Sequence, residues 1–229
     1  MARVTLPSGD DKVRAVRSMF DSIAPRYDLV NRVMTFGLDV RWRRRAVRAL
    51  SLPPGSLVAD VACGTGDFCR ELEAAGHRAV GFDLSRGMLV AARTRAPLVE
   101  ADALRLPLGD SCADGATCGF ALRNVADVAA LFAELARVVR RGGRIAILEV
   151  ATPRAAPLRA AHRVYFHRVV PLVGGLLSER AAYRYLPAST AYLPARDELL
   201  GIARAAGFSD ASSALVGLGA AQVLTATRA

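Results

Sequence analysis

Gly64, Gly66 and Asp83 are the residues whose types and spacing first suggest chemistry. The stretch Leu57-Val58-Ala59-Asp60-Val61-Ala62-Cys63-Gly64-Thr65-Gly66-Asp67 is an apolar run that ends in a small-residue turn. A second apolar run, Ala79-Val80-Gly81-Phe82, ends on Asp83. Glycines let a backbone approach a ligand closely. A carboxylate at a strand end can accept both hydroxyls of a ribose, a charge-assisted contact worth roughly 1.5–3 kcal/mol. The arrangement is that of a nucleoside site at the carboxyl ends of parallel strands. A dinucleotide loop wants G-x-G-x-x-G, but here Gly64-Thr65-Gly66 runs into Asp67, Phe68 and Cys69. The third glycine is missing and Asp67 would repel a diphosphate. A nucleoside cofactor without phosphate fits better, and S-adenosylmethionine is the expected one.

The elements that must hold these residues are legible in the pattern. Residues 11–24 read as a helix with Val13, Val16, Met19, Phe20 and Ile23 on one face, stopped by Pro25. A second helix is expected over 38–50, and Pro53-Pro54-Gly55 marks the entry to a sheet. The expected order is then strand 57–62, helix 67–76, strand 78–83, helix 85–95 capped by Ser85, and a short strand 97–100. A strand at 114–120, a helix 127–140 closed by Gly142-Gly143 and a strand to Val150 follow. Strands that alternate with helices mean a parallel sheet covered on both faces, an α/β fold of Rossmann-like type. The rhythm breaks over 151–195, read as an inserted cap, and resumes with a helix 196–206 and strands near 208–215 and 220–227. The whole chain, 1–229, is expected to be one domain: a helical lid over 11–50, a cofactor-binding core over 57–150, the cap, and a C-terminal helix and hairpin over 196–229.

Composition narrows the class. At 229 residues and 52% hydrophobic, the chain can bury a large core without staples. Cys63, Cys69, Cys112 and Cys118 lack metal-ligand spacing, and the three histidines lie far from them, so no metal site is expected. Free thiols and a polar opening over residues 1–17 suit a reducing, cytoplasmic location. The formal net charge of +10 is mostly arginine, densest at Arg41-Trp42-Arg43-Arg44-Arg45 with Arg48. That cluster reads as a solvated helix face or as a surface for an anionic partner. Basic and aromatic residues do not interleave as in RNA readers, so nucleic acid is not an expected partner. The apolar stretch Val169–Leu177 falls far short of the ~20 residues that cross a bilayer.

Four further segments carry a resemblance. Met19-Phe20-Asp21-Ser22-Ile23-Ala24-Pro25-Arg26-Tyr27-Asp28 with Asn31, and Phe36-Gly37-Leu38-Asp39 leading to Trp42-Arg43, resemble the opening of the ubiquinone/menaquinone-biosynthesis C-methyltransferases. Phe120-Ala121-Leu122-Arg123-Asn124-Val125 resembles that family's F-x-x-R-N motif. Tyr183-Arg184-Tyr185-Leu186-Pro187-Ala188-Ser189 with Pro194 resembles its Y-x-Y-L-P-x-S segment. The resemblance implies a seven-stranded, mostly parallel sheet with helices on both faces and an antiparallel hairpin at one edge. It implies an N-terminal helical lid and a helical insertion after the fifth strand.

What the resemblance implies about chemistry follows. Methyl transfer from S-adenosylmethionine to a ring carbon of a prenylated quinol is expected. Asp60, Gly64, Thr65 and Gly66 would lie along the methionine part of the cofactor, Asp83 on the ribose, and Asp102 and Ala103 on the adenine. Gly119 stands where ubiquinone-type members commonly carry a serine that touches the cofactor, and Cys63 replaces a smaller residue. Menaquinone-type members often carry Asp-Ala at the adenine pair, which favours demethylmenaquinol as the acceptor. A quinol reacts once a hydroxyl loses its proton, and a cation stabilises the resulting oxyanion. Arg123 is the candidate for that role or else a structural salt-bridge partner, with Asn124 as an orienting amide and Tyr27 at the methionine end or on the quinol. Tyr185 and Ser189 are candidates to line the substrate pocket or to fasten the insertion. His162 and His167 read as surface or packing residues, and Glu149 as a supporting carboxylate. A prenyl tail implies transient contact with the inner face of a membrane, with the apolar 169–177 stretch and the arginines expected to rest on an anionic bilayer surface, and a homodimer is compatible with the resemblance. The rival readings are a methyltransferase that tailors an aromatic secondary metabolite and a non-catalytic cofactor-binding module.

Overall fold

A computed structural model describes residues 8–178 and 180–229, without the side chains of residues 176, 177, 180, 181, 183 and 184. Residues 1–7 of the polar opening, and the Tyr183 side chain of the insertion motif, therefore lie outside the described residues.

Seven strands form one sheet in the order β3-β2-β1-β4-β5-β7-β6. β1 (Leu57–Val61), β2 (Arg78–Asp83), β3 (Leu98–Glu100), β4 (Ala113–Gly119) and β5 (Val139–Val150) pair in parallel. β7 (Ala221–Arg228) runs antiparallel between β5 and β6 (Phe208–Val216), so the hairpin closes one edge. The strand order reverses between β1 and β4, and that switch point opens a crevice at the carboxyl ends where a ligand can sit. The central strands are buried on both faces. Leu131, Phe132, Leu135 and Phe208 pack on one side with Ile145 and Ile147. Val47, Leu50, Phe68 and Leu72 pack on the other with Val58, Ala146 and Leu148.

The helices that follow the strands are α4 (Asp67–Ala74), α5 (Arg86–Ala91) and α6 (Val128–Val138). Ser85 caps α5, its hydroxyl oxygen accepting the Met88 N–H at 3.1 Å. That helix stops well short of residue 95, because Arg93 N–H turns aside to bond the Thr65 carbonyl at 3.1 Å. The Gly142-Gly143 pair does not close α6. The chain is already extended at Val139, and Gly142, at φ +73°, bends the strand itself. A Cβ on Gly143 would lie 2.6 Å from the Asp114 carbonyl oxygen, so the neighbouring strand requires glycine there.

Three helices precede the sheet: α1 (Gly9–Ile23), α2 (Tyr27–Thr35) and α3 (Leu38–Leu50). Sequence reasoning missed α2. Pro25 does not end the helical path; it sits in a single tight turn, Ala24–Arg26, where its missing N–H costs nothing, and α2 starts immediately after. Phe36 and Gly37, both left-handed, then separate α2 from α3. The insertion carries α7 (Ala156–Val164), α8 (Val170–Leu177) and α9 (Arg180–Ser189), and α10 (Arg196–Ala205) leads into the hairpin.

Candidate active site

The glycine loop leaves β1 through Ala62 and Gly64, both at φ +55°, and enters α4 through Gly66 at φ +81°. A Cβ on Gly66 would lie 2.8 Å from the Thr94 methyl, so both backbone and space call for glycine. Asp83 anchors the loop. Its Oδ2 accepts the Gly64 N–H at 2.7 Å and its Oδ1 accepts the Ser85 N–H at 2.8 Å. Burial raises the Asp83 pKa, and the two N–H donors oppose that by favouring the carboxylate. Each carboxylate oxygen keeps a further lone pair for a ligand hydroxyl.

Asp83, Gly64, Asp102, Ala103 and Gly119 line one cavity with Phe20, Met88 and Leu104. Three of the expected cofactor residues stand outside it. Asp60 is fully buried behind the loop, where its oxygens accept the Thr117 hydroxyl at 2.8 Å and the Cys69 thiol at 3.4 Å. Burial pushes its pKa up to about 7. The Thr65 hydroxyl is engaged by Asp28, and Gly66 serves the turn. Gly119 meets Phe68: a Cβ there would come within 2.7 Å of the ring, which leaves no room for a serine in this arrangement.

The N-terminal helices roof this cavity through polar staples. Asp21 Oδ1 accepts the Ser85 hydroxyl at 2.6 Å and the Gly87 N–H at 2.8 Å. The Lys12 ammonium donates to the Val125 carbonyl at 2.7 Å and sits 3.8 Å from the Tyr192 ring centroid. Asp67, at the N-terminus of α4, is buried among arginines: Arg32 at 2.7 Å, Arg43 at 3.2 Å, and Arg70. Burial alone would raise the Asp67 pKa; Arg43, Arg32 and Arg70 outweigh it and hold the carboxyl below its usual range. Arg43 also pairs with buried Asp39 at 2.7 Å. The other arginines of its run, Arg41, Arg44, Arg45 and Arg48, are exposed. A helix N-terminus is where a diphosphate would sit, and here Asp67 puts a negative charge on the first residue of α4.

A second cavity, of about 220 Å³, adjoins the first. Its wall is largely apolar (Met19, Ile23, Met34, Trp42, Leu186), with polar groups from Tyr27, Arg123, Asn124 and Tyr185 and further ones from Asn31, Thr35, Asp39 and Arg43. Arg123 is buried, donates to the Phe120 carbonyl at 2.8 Å and forms an ion pair with buried Glu149. Four buried polar atoms here lack a partner among the described residues: Arg123 Nε, Asn124 Oδ1, Glu149 Oε2 and the Tyr185 hydroxyl. Orphaned buried groups are rare, and each calls for an explanation. Burial pushes the Tyr185 phenol up to about 12 and also raises that of Tyr27, so both stay protonated donors near neutral pH. Ser189 is elsewhere. It is fully buried, and its hydroxyl donates to the Leu186 carbonyl at 2.8 Å, which fastens α9 rather than lining a cavity. His162 stacks on Phe166 at 5.5 Å between ring centroids and lines the second cavity far from the glycine loop. Phe20, Tyr27, Phe120 and Asn124 line both cavities and form the boundary between them.

Comparison with known proteins fixes the lineage. The profile of the ubiE/COQ5 methyltransferase family matches residues 8–228. The chain belongs to that family. It is an S-adenosylmethionine-dependent methyltransferase. Among similar proteins is a demethylmenaquinone methyltransferase of Roseiflexus sp. (strain RS-1), 46% identical over 98% of this chain and 98% of that one. A ubiquinone/menaquinone biosynthesis C-methyltransferase of Syntrophotalea carbinolica is 44% identical over 84% of this chain and 85% of its own. Of the solved structures, a magnesium protoporphyrin IX methyltransferase from Synechocystis superposes with a TM-score of 0.62 at 20% identity, over 96% of this chain and 100% of that one. A possible histamine N-methyltransferase from Thermotoga maritima gives 0.66 at 20% identity, over 93% and 100%. At that identity the two structures show a shared fold.

The methyltransferase's first cavity fits its cofactor. The carboxylate of Asp83 suits a ribose diol, the glycine loop leaves the backbone open at Gly64, and Asp67 at the start of α4 would repel the diphosphate of a dinucleotide. Arg17 is the one basic residue among those that line it.

Sequence reasoning missed two features of the site. The roles of Asp21 and Asp28 as staples went unread although both lie in the opening motif. The arginine cage of Asp67 also escaped notice, because its members come from three helices.

Proposed function

We propose that this methyltransferase methylates a ring carbon of a prenylated quinol, with demethylmenaquinol as acceptor and menaquinol as product. The observation that carries the reading is the shared wall. A cavity with a ribose-type carboxylate meets a largely apolar cavity with cationic and polar groups, and Phe20, Tyr27, Phe120 and Asn124 face both. An aromatic acceptor with two ring oxygens and an aliphatic tail matches that second cavity: the oxygens answer the orphaned atoms and the tail takes the apolar wall.

In this reading Asp83 holds the ribose, Asp102 and Ala103 the adenine, and Gly64 and Gly119 give the backbone close approach. When bound, the cofactor supplies a methyl group already activated by its sulfonium. The protein's task is positioning and exclusion of water. The N-terminal helices act as a lid and perform the second. Arg123 stabilises the quinol oxyanion, which places charge on the ring carbon that is methylated. Glu149 holds the guanidinium in place. The phenols of Tyr27 and Tyr185 donate to the ring oxygens, and Asn124 orients the acceptor. The hydroxyl proton leaves to solvent through a water held by Arg123; once the carbon–methyl bond has formed, the hydrogen still on that carbon leaves as a proton and the oxygen regains one, which restores the aromatic quinol with one proton released overall. The insertion, 151–195, serves as the substrate cap, and the enzyme works at the inner face of the membrane, which it contacts transiently. No helix among the described residues is long and apolar enough to cross a membrane. Light scattering distinguishes the monomer from the homodimer.

The test is transfer of label from S-adenosylmethionine to a chemically reduced, short-tailed demethylmenaquinol. The oxidised quinone and a ubiquinone precursor are run beside it. Product from demethylmenaquinol alone is expected. No product from any of the three, with S-adenosylhomocysteine still raising the melting temperature, would overturn the quinol reading in favour of a tailoring enzyme.

A further inference from the structure

The insertion has a surface that the methyl-transfer site does not use. α7 contains no buried residue, and neither does the turn Tyr165–Val169 that follows it. Arg154, Arg159, Arg163 and Arg168 fall between Ala151 and Ser178, a stretch with no aspartate or glutamate. All four are exposed. A cleft of about 820 Å³ runs from α7 to the start of α10. Arg154, Arg159, Arg163 and Arg196 line it, with Asp197 the one acid among the described lining residues. Arg196 Nη2 donates to the Ser213 carbonyl at 2.6 Å, while its buried Nε has no partner among the described residues.

Apolar side chains are exposed on the neighbouring turns. Leu172 is 61% exposed, Phe36 80% and Leu218 80%. Phe36 lines the second cavity and lies 6.1 Å from the Tyr165 ring, and Leu218 follows Gly217, which lines the same cavity. The arginine cleft shares Val150, His162 and Phe166 with that cavity. Basic groups and exposed aliphatic and aromatic side chains thus meet where the apolar cavity reaches the surface. Nucleic acid would leave the apolar members in water. A bilayer satisfies both sets, with headgroup phosphates on the arginines and acyl chains on the apolar side chains.

We propose that α7 and its arginine-lined cleft dock this enzyme on an anionic phospholipid bilayer, with the second cavity opening toward the lipid. The inference deepens the membrane contact of the quinol reading, and it rests on that reading only for the orientation of the cavity. Each basic residue near an anionic leaflet strengthens binding roughly fivefold. Reversing three of them lowers vesicle affinity by at least about a hundredfold.

Co-flotation of the full chain, without substrate, on phosphatidylcholine vesicles with and without phosphatidylglycerol tests it. The wild type is expected to float with phosphatidylglycerol vesicles only, and to detach at high salt. Arg154→Glu/Arg159→Glu/Arg163→Glu is expected to lose that binding. Arg41→Glu/Arg45→Glu/Arg48→Glu, an equal charge change on the exposed face of α3, is expected to keep it. Both triple variants alter exposed side chains, and an unchanged melting curve shows that each is folded. Turnover of a short-tailed quinol in solution by the α7 variant is expected to equal that of the wild type. Absence of flotation at low salt, equal flotation with phosphatidylcholine alone, or equal loss in both triple variants would overturn the proposal. So would release of the vesicles by glycerol phosphate at constant ionic strength, which would make the cleft a site for a free phosphate ester. Failure of the quinol reading would instead show as missing turnover with vesicle binding intact.

Discussion

The N-terminal helices and the insertion both flank the crevice, and they are held in different ways. α1 to α3 are tied to α4 and α5 by buried and half-buried charge: Asp39 and Asp67 share Arg32 and Arg43, and Asp21 takes two donors from the start of α5. α7 has no buried residue and carries arginines that face water. The first region lines the first cavity, and in the proposed reading it must be rigid there. The second touches the apolar cavity from outside, and its composition answers to a surface beyond the protein. One fold thus uses the same residue type, arginine, as a buried clasp in one region and as an exposed contact in the other.

The strongest way to sharpen this contrast is to remove one arginine from each region. Arg43→Leu leaves Asp39 and Asp67 buried with less compensation, and breaking such a pair costs about 3 kcal/mol. Arg159→Leu removes an exposed charge with no ion pair among the described residues and should change stability by no more than about 0.5 kcal/mol. Chemical denaturation of both variants measures the difference, and comparable losses would erase it.

A second contrast separates cofactor from acceptor. Asp21→Ala removes two hydrogen bonds that hold the roof on α5. Affinity for S-adenosylhomocysteine is expected to fall about tenfold. Tyr185→Phe removes only a phenol hydroxyl of the second cavity. Calorimetric affinity for S-adenosylhomocysteine should be unchanged while kcat/KM for the quinol drops about tenfold.

How much of this was legible in the sequence depends on the range of the forces involved. The strands, the glycine loop and Asp83 could be read, because alternation, turn residues and strand-end acids are local signals. α2 could not, since Pro25 looks like a stop until the chain is seen to take one tight turn and resume. Gly142-Gly143 looked like a helix end, but its need arises from the close approach of Asp114 on the neighbouring strand. Asp60 and Thr65 were expected against the cofactor, yet Asp60 bonds Thr117 on β4, 57 positions away, and Thr65 bonds Asp28 on α2. Arg123, Asn124 and Tyr185 were legible through their motifs. The ion pair of Arg123 with Glu149 was legible only in part: a salt-bridge role for Arg123 and a supporting role for Glu149 could be read, but not that the fold joins the two.

A further expected effect is one of pH. Asp60 has a folded pKa of about 7, above its reference value of 3.8, because burial disfavours its charge. The folded state therefore keeps a proton that the unfolded chain has released. Its contribution to stability is full below about pH 3.8 and is lost as pH rises through about 7. Asp60→Asn should flatten that slope in melting temperatures taken across the interval. An unchanged slope would place the titration elsewhere.

The central claim is that Arg123 acts on the acceptor and not on the cofactor. Single-turnover methylation by Arg123→Met/Glu149→Gln, a pair that leaves no lone buried charge, tests it on the same sample used to titrate S-adenosylhomocysteine. The account predicts a rate lower by roughly 10²–10³ with cofactor affinity within about twofold of wild type. A wild-type rate, or a loss explained entirely by weaker cofactor binding, would contradict it.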